Sequence, residues 1–304
     1  MSRLSASRPA PRTDRLRRML AWLRLGLLYG LLWAIILTGG LLWRQLLESN
    51  WGLRAAGPDA PHLSATGINV ALMADPAQEQ QMQLQSLREA GFDWVRQRFP
   101  WTELEPAPGE FAWPAADSFV NATARTGLEL VAVLDGSPDW ARDARDGTPV
   151  DNPLAPPANP HDFARFAGAF AARYGEQIRY YQIWDEPNIA PHWGDRHIDP
   201  VAYTQLLQLA AAAIRAADAD AIIVGAALAP TADRGHAAID EVYFLQRMYA
   251  AGAAPALDVV AIQPFGFGHA PEHYAQRAAV LNLARAGWVR RAMQAAGDQA
   301  TPLW

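Results

Sequence analysis

The sequence predicts one N-terminal transmembrane helix followed by a (β/α)8 TIM barrel, incomplete, with about six and a half repeats present. Three observations carry this. Residues 25–43, LGLLYGLLWAIILTGGLLW, contain no charge. After them, short and nearly all-apolar runs alternate with amphipathic helical stretches, the pattern of a parallel sheet covered by helices. The turn after the first run reads ADPAQEQ, without the glycines that open a nucleotide-binding sheet. That favours a closed barrel over an open doubly wound sheet.

Seven Arg and one acid, Asp14, precede Leu25. Nineteen residues at about 1.5 Å each make a helix roughly 28 Å long, close to the ~30 Å hydrocarbon core. Trp22 and Trp43 mark its ends, where indole rings favour the headgroup region. A cleavable signal peptide has a shorter apolar region ending in small residues, whereas RQLLESNW follows here. The reading is therefore an uncleaved signal anchor: a cytoplasmic Arg-rich tail (1–24), the transmembrane helix (25–43), a linker (44–64) and an outward-facing barrel (65–304). From Trp51 onward 18 Arg stand against 29 acids, a balance that argues against a nucleic-acid-binding domain, which usually shows a basic face.

The predicted strands are GINVALM from Gly67, FDWVRQRF from Phe92, LELVAVL from Leu128, IRYYQIW from Ile178, AIIVGAA from Ala221, LDVVAIQ from Leu257 and TPLW from Thr301. Between them lie PAQEQQMQLQSLREAG, HDFARFAGAFAARYG, VAYTQLLQLAAAAIRAAD and DEVYFLQRMYAAG as helices. In the second, Phe163, Phe166, Ala167, Phe170 and Ala171 share one helical face. Strand starts spaced by about 39 residues put eight repeats at about 310 residues, within the known range of such barrels.

Composition narrows the chemistry. There is no Cys, which excludes thiolate metal sites and a cysteine nucleophile, and all 26 basic residues are Arg, which excludes Schiff-base lysine and the P-loop. No glycine-rich phosphate loop is present, and no cofactor is expected. His269 and His273 flank Pro271, which breaks the helical spacing of a paired-His metal site, and the run from Asp143 to Asp146 fails calcium-loop spacing, so no metal is expected either. The most informative stretch is YYQIWDEPN, Tyr180 to Asn188: an apolar strand ends in Asp185 and Glu186 and is stopped by Pro187. At the carboxyl end of a barrel strand, a glutamate beside a second acid suits a general acid, because burial and a like charge both raise its pKa. Asp185 suits a helix N-cap equally well.

The stretch PANPHDFARFAGAFAARYGEQIRYYQIWDEPN resembles the strand-four region of clan A retaining glycoside hydrolases, the cellulase-like enzymes, notably families 39 and 5, where a strand ends in Asn-Glu-Pro. GFDWVRQRFPWTELEPAPGEFAW resembles their second strand, LELVAVLDGSPDWAR their third, and LDVVAIQPFGF their sixth, so the likeness runs over about residues 67 to 304. It implies that Glu186 is the acid/base and that Asp185 stands where an Asn contacts the sugar 2-hydroxyl. It implies that Arg96 supports the nucleophile carboxylate, and that Gln263 and Phe265 replace a His and a Tyr beside it. Trp101, Trp140 and Trp193 follow strands two, three and four, where aromatic faces stack on sugars. Trp193 is the best such platform, with His192 as a polar rim neighbour.

A retaining enzyme needs a second carboxylate about 5–5.5 Å from the acid. The resemblance places it after a Pro-Leu-Trp-like run, which here is Thr301-Pro302-Leu303-Trp304, so the nucleophile is expected beyond Trp304 and the fragment itself inactive. Glu103, Glu105 and Glu110 belong to the strand-two turn and Glu272 to a loop. The implied function is a membrane-anchored retaining glycosidase acting on O-glycosidic bonds of a polysaccharide or glycoconjugate. The Asp and Phe departures leave a non-catalytic carbohydrate-binding or scaffold protein on the same barrel as the alternative.

Overall fold

A computed structural model of the chain describes residues 12–49, 66–142, 144–145, 148–149, 151–195, 197–270, 273 and 279–304, in two compact units, Met1–Trp51 and Gly52–Trp304. Most of the predicted linker, Glu272 and the Asp143 and Asp146 carboxylates lie outside the described residues.

The first unit is helix α1 (Arg12–Ser49). It is longer than the uncharged run because the flanking Arg, Leu, Met and Gln residues are good helix formers. Within it Leu16–Arg44 is long and apolar enough to cross a membrane, with a mean hydropathy of 2.0, and its large side chains are exposed on every side. The Thr38 hydroxyl donates back to the Ala34 carbonyl at 2.6 Å, so this polar group is satisfied within the helix. A signal sequence meets the same test of length and composition.

The second unit contains β1 (Gly67–Val70), α2 (Ala77–Glu89), β2 (Trp94–Pro100), a short α3 (Trp101–Leu104), α4 (Pro114–Thr126), β3 (Glu129–Asp135), the two-residue strands β4 (Ala144–Arg145) and β5 (Thr148–Pro149), and α5 (Pro160–Tyr174). It continues through β6 (Tyr180–Ile183), β7 (His192–Asp195), α6 (Pro200–Ala217), β8 (Ile222–Val224), α7 (Glu241–Ala250) and α8 (Arg285–Ala295). Strands β1, β2, β3, β6 and β8 lie side by side in that order, all parallel. Parallel bridges Val224–Val259 and Val260–Leu303 add residues 259–262 and 302–304 beyond β8. The seven apolar runs thus form neighbouring parallel segments in chain order, each reached through a helical crossover. Asn159 and Asp199 cap α5 and α6 by accepting backbone N–H bonds, and a proline follows each at the first helical position.

Strand side chains alternate between two apolar layers. Val95, Phe99, Leu130, Ala132, Leu134, Tyr181, Ile183 and Ile223 face the helices and pack with Phe119, Phe163, Phe166 and Phe170. The opposite rows carry Val131, Tyr180, Ile222, Val224, Val259 and Ala261, flanked by Trp94 and Trp304, and form a second, inner cluster. Gly67 is where that cluster leaves no room: a Cβ there would sit 1.9 Å from Cε2 of Trp94. Gly67→Ala is therefore expected to lower stability by about 1–3 kcal/mol, read from chemical unfolding curves. An unchanged midpoint would show that the indole moves aside freely.

Candidate active site

The inner rows become polar toward the carboxyl ends of the strands. On β2, Trp94 is followed on the same face by Arg96 and then Arg98; on β6, Tyr180 is followed by Gln182. Trp94, Arg96, Arg98 and Gln182 line a cavity of about 560 Å³ with Asn69, Asp185, Glu186, Gln263, Phe265 and Trp304. Consecutive residues of a regular strand face opposite ways, yet Asp185 and Glu186 both line it. The backbone achieves this with left-handed conformations at Trp184 (φ 69°) and Glu186 (φ 50°), each costing on the order of 1–3 kcal/mol for a non-glycine residue.

The surroundings over-determine that turn. The Trp184 N–H donates to the Leu134 carbonyl at 2.8 Å, and its indole Nε1 donates to the His192 carbonyl at 2.7 Å. Its ring is fully buried between Phe163 and Trp193. Asn188, also buried, donates to the carbonyls of Ala229 and Ile239 and accepts from the Ala229 N–H.

Asp185 is an ion-pair partner rather than a helix cap. Its Oδ1 accepts from Arg96 at 2.6 Å, Gln182 at 3.1 Å and Gln263 at 3.4 Å. Arg96 also donates to Gln182 at 2.9 Å and to Asn69 at 3.2 Å. The charge expected to crowd Glu186 is thereby compensated. The Glu186 carboxylate lies 3.2 Å from Nε2 of His192. Burial pushes its pKa above the ordinary glutamate value; His192 opposes the shift, Asp185 adds to it and Arg96 opposes it again. A raised pKa keeps the acid form of Glu186 to higher pH. In His192→Gln, which removes the influence that opposes the shift, the Glu186 titration read by carboxyl carbon NMR is expected to move further up, and a downward move would contradict this electrostatic account.

The structure brings Glu186, Asp185, Arg96, His192, Gln263 and Phe265 to one region, with Phe265 54% exposed at the cavity edge. Two proposed sugar platforms are corrected. Trp101 is fully buried, stacked on Phe166 and donating to Glu105 at 2.6 Å. Trp193 is 2% exposed, wedged against Trp184 and Tyr203, so neither has a free face for a sugar. Trp140 is half-buried, bonded through Nε1 to the Glu105 carbonyl and approached by Arg165, away from the cavity. Glu105 itself is buried and holds Trp101, the Gly109 N–H and Arg165, a structural role. His269 and His273 stack ring on ring at 4.3 Å, and His273 is tied to Asn282. Sequence reading missed Arg98, Gln182 and Asn69, although the two-residue period from Arg96 reaches Arg98 on the same face.

This geometry sits on the fold of barrel-type glycoside hydrolases. No family model and no curated protein matches the sequence, but solved structures do. A family 39 β-xylosidase from Caulobacter crescentus is similar with a TM-score of 0.58 at 21% identity, over 83% of this chain and 54% of that one. The family 39 enzyme from Xanthomonas axonopodis pv. citri gives 0.58 at 19% identity, over 82% and 51%. A family 39 glycoside hydrolase from Bacteroides cellulosilyticus gives 0.55 at 19% identity, over 73% and 44%. The likeness is one of fold, and the chain spans about half the length of these structures.

Proposed function

We propose that this chain carries the acid/base half of a membrane-anchored retaining glycosidase. The observation behind the reading is Glu186, a largely buried carboxyl with a raised pKa, beside His192 in a cavity at the carboxyl ends of parallel strands. Its protonated carboxyl would donate to the departing glycosidic oxygen as a second carboxylate attacks the anomeric carbon. As carboxylate it would then take the proton of the water that releases the sugar. We place the second carboxylate on the continuation of the strand at 302–304, since Trp304 lines the same cavity. A glycan-binding barrel without turnover is the second reading, favoured by Asp185, whose Oδ1 is already filled.

A panel of aryl glycosides given to the full-length protein separates the two. Hydrolysis whose first-formed sugar keeps its anomeric configuration, read by proton NMR, supports the enzyme; inversion removes double displacement, and glycan binding without hydrolysis favours the second reading. The same proposal takes α1 as an uncleaved signal anchor. The intact mass of the membrane-fraction protein is then expected to include residues 25–43, and a mature protein beginning after them would make the helix a leader.

A further inference from the structure

Arg98 stands two residues past Arg96 on the same face of β2, about 7 Å further toward the carboxyl ends of the strands. The two arginines are held differently. All three kinds of guanidinium nitrogen in Arg96 are engaged, by Gln182, Asn69 and Asp185. Arg98 gives only Nε, to Asp135 Oδ2 at 2.7 Å, and no described residue takes its two terminal nitrogens. Its side chain is 44% exposed and lines the cavity that holds Glu186. The partner is the reverse: Asp135, closing β3, is 1% exposed, and its Oδ1 has no hydrogen-bond partner in the structure.

A structural cross-strand pair has no need of a cavity-facing half. Bonding at Nε fixes the plane of the guanidinium and leaves its other edge, two parallel N–H groups, presented to whatever enters. That edge matches the two oxygens of a carboxylate, whereas a lone sugar hydroxyl would use only one of its two donors. The other nearby acids do not fill this role: Asp185 is taken by Arg96, and Glu103 is exposed.

Resting on the glycosidase or glycan-binding reading of this cavity, we infer that its sugar ligand carries a carboxylate, as a hexuronic acid does, and that the free edge of Arg98 receives it in a bidentate pair. Asp135 is then a positioning residue for Arg98.

The test is calorimetric titration of the full-length protein in detergent with D-glucuronate, D-galacturonate and D-mannuronate, each against its neutral hexose. At least one hexuronate is expected to bind ten-fold or more tighter than its neutral counterpart, with the advantage shrinking as salt is raised. Arg98→Gln is expected to bring that ratio close to one, circular dichroism confirming the fold. Neutral sugars binding as well as every hexuronate, or a preference that survives in Arg98→Gln, would overturn the inference while leaving the glycan site standing. Binding of no sugar at all would overturn the glycan site and this inference with it.

Discussion

Glu186→Gln in the full-length protein is expected to lower kcat/KM for aryl glycosides with poor leaving groups by about 10²–10⁴-fold, the range for losing a positioned general acid. Gln keeps the size and the hydrogen-bonding shape near His192 but has no proton to give, so folding and sugar binding should survive. The leaving group decides the interpretation. A dinitrophenolate departs without protonation, so its glycoside should lose far less in the first step than a methyl or simple phenyl glycoside. A loss equal across leaving groups would remove Glu186 from the acid role, and unchanged activity would remove it from the reaction.

The same substitution reads the second half of the mechanism. Once the departing group no longer limits, release of the sugar waits for a water that Glu186 as carboxylate would activate. Azide needs no such base, so added azide should restore turnover and yield the glycosyl azide with retained configuration. Rescue requires a covalent intermediate, which a non-catalytic barrel cannot form.

The elements legible in the sequence were those governed by local patterning. LELVAVL and IRYYQIW read as strands because their apolar runs are buried on both faces, one against α5 and one against the inner cluster. HDFARFAGAFAARYG read as a helix because Phe163, Phe166 and Phe170 repeat at helical spacing, and all three are fully buried. Glu186 was legible because a carboxyl pair followed by proline is a poor way to continue a strand. What escaped depends on contacts between distant segments. Trp193 looked exposed among His192, Gly194 and Asp195, but the positive φ of Gly194 (67°) accompanies a chain course that packs the indole against Trp184 and Tyr203. Asp185 does add to the raised Glu186 pKa, as two adjacent carboxyls in the sequence imply. Its compensation comes from Arg96, 89 residues earlier, and no local pattern announces that pairing. The left-handed turn that puts Asp185 and Glu186 in one cavity depends on bonds to Leu134, Ala227 and His192.

That compensation carries the second large effect. Arg96 and Asp185 are 17% and 14% exposed, so removing one partner leaves a nearly buried charge unanswered. Arg96→Met is expected to cost about 3–5 kcal/mol in chemical unfolding, while the double variant Arg96→Met/Asp185→Asn, which removes both charges, recovers most of the loss. If the double variant is as unstable as the sum of the singles, the pair is not the source of the cost. Activity should follow a different order from stability. In Arg96→Met the Glu186 carboxyl loses a cation that holds its pKa down and keeps an uncompensated Asp185 that pushes it up, so its titration moves further up. In the double variant both influences vanish, and the alkaline limb of the kcat/KM profile should fall back toward the wild-type position. Linkage has the matching sign. A glutamate whose folded pKa is raised favours the native state most below its unfolded pKa and loses that contribution as pH rises through the folded value. Arg96→Met should therefore lose stability most steeply on the alkaline side of the unfolded glutamate pKa, and a steeper loss on the acid side would exclude Glu186 as the group that feels the pair.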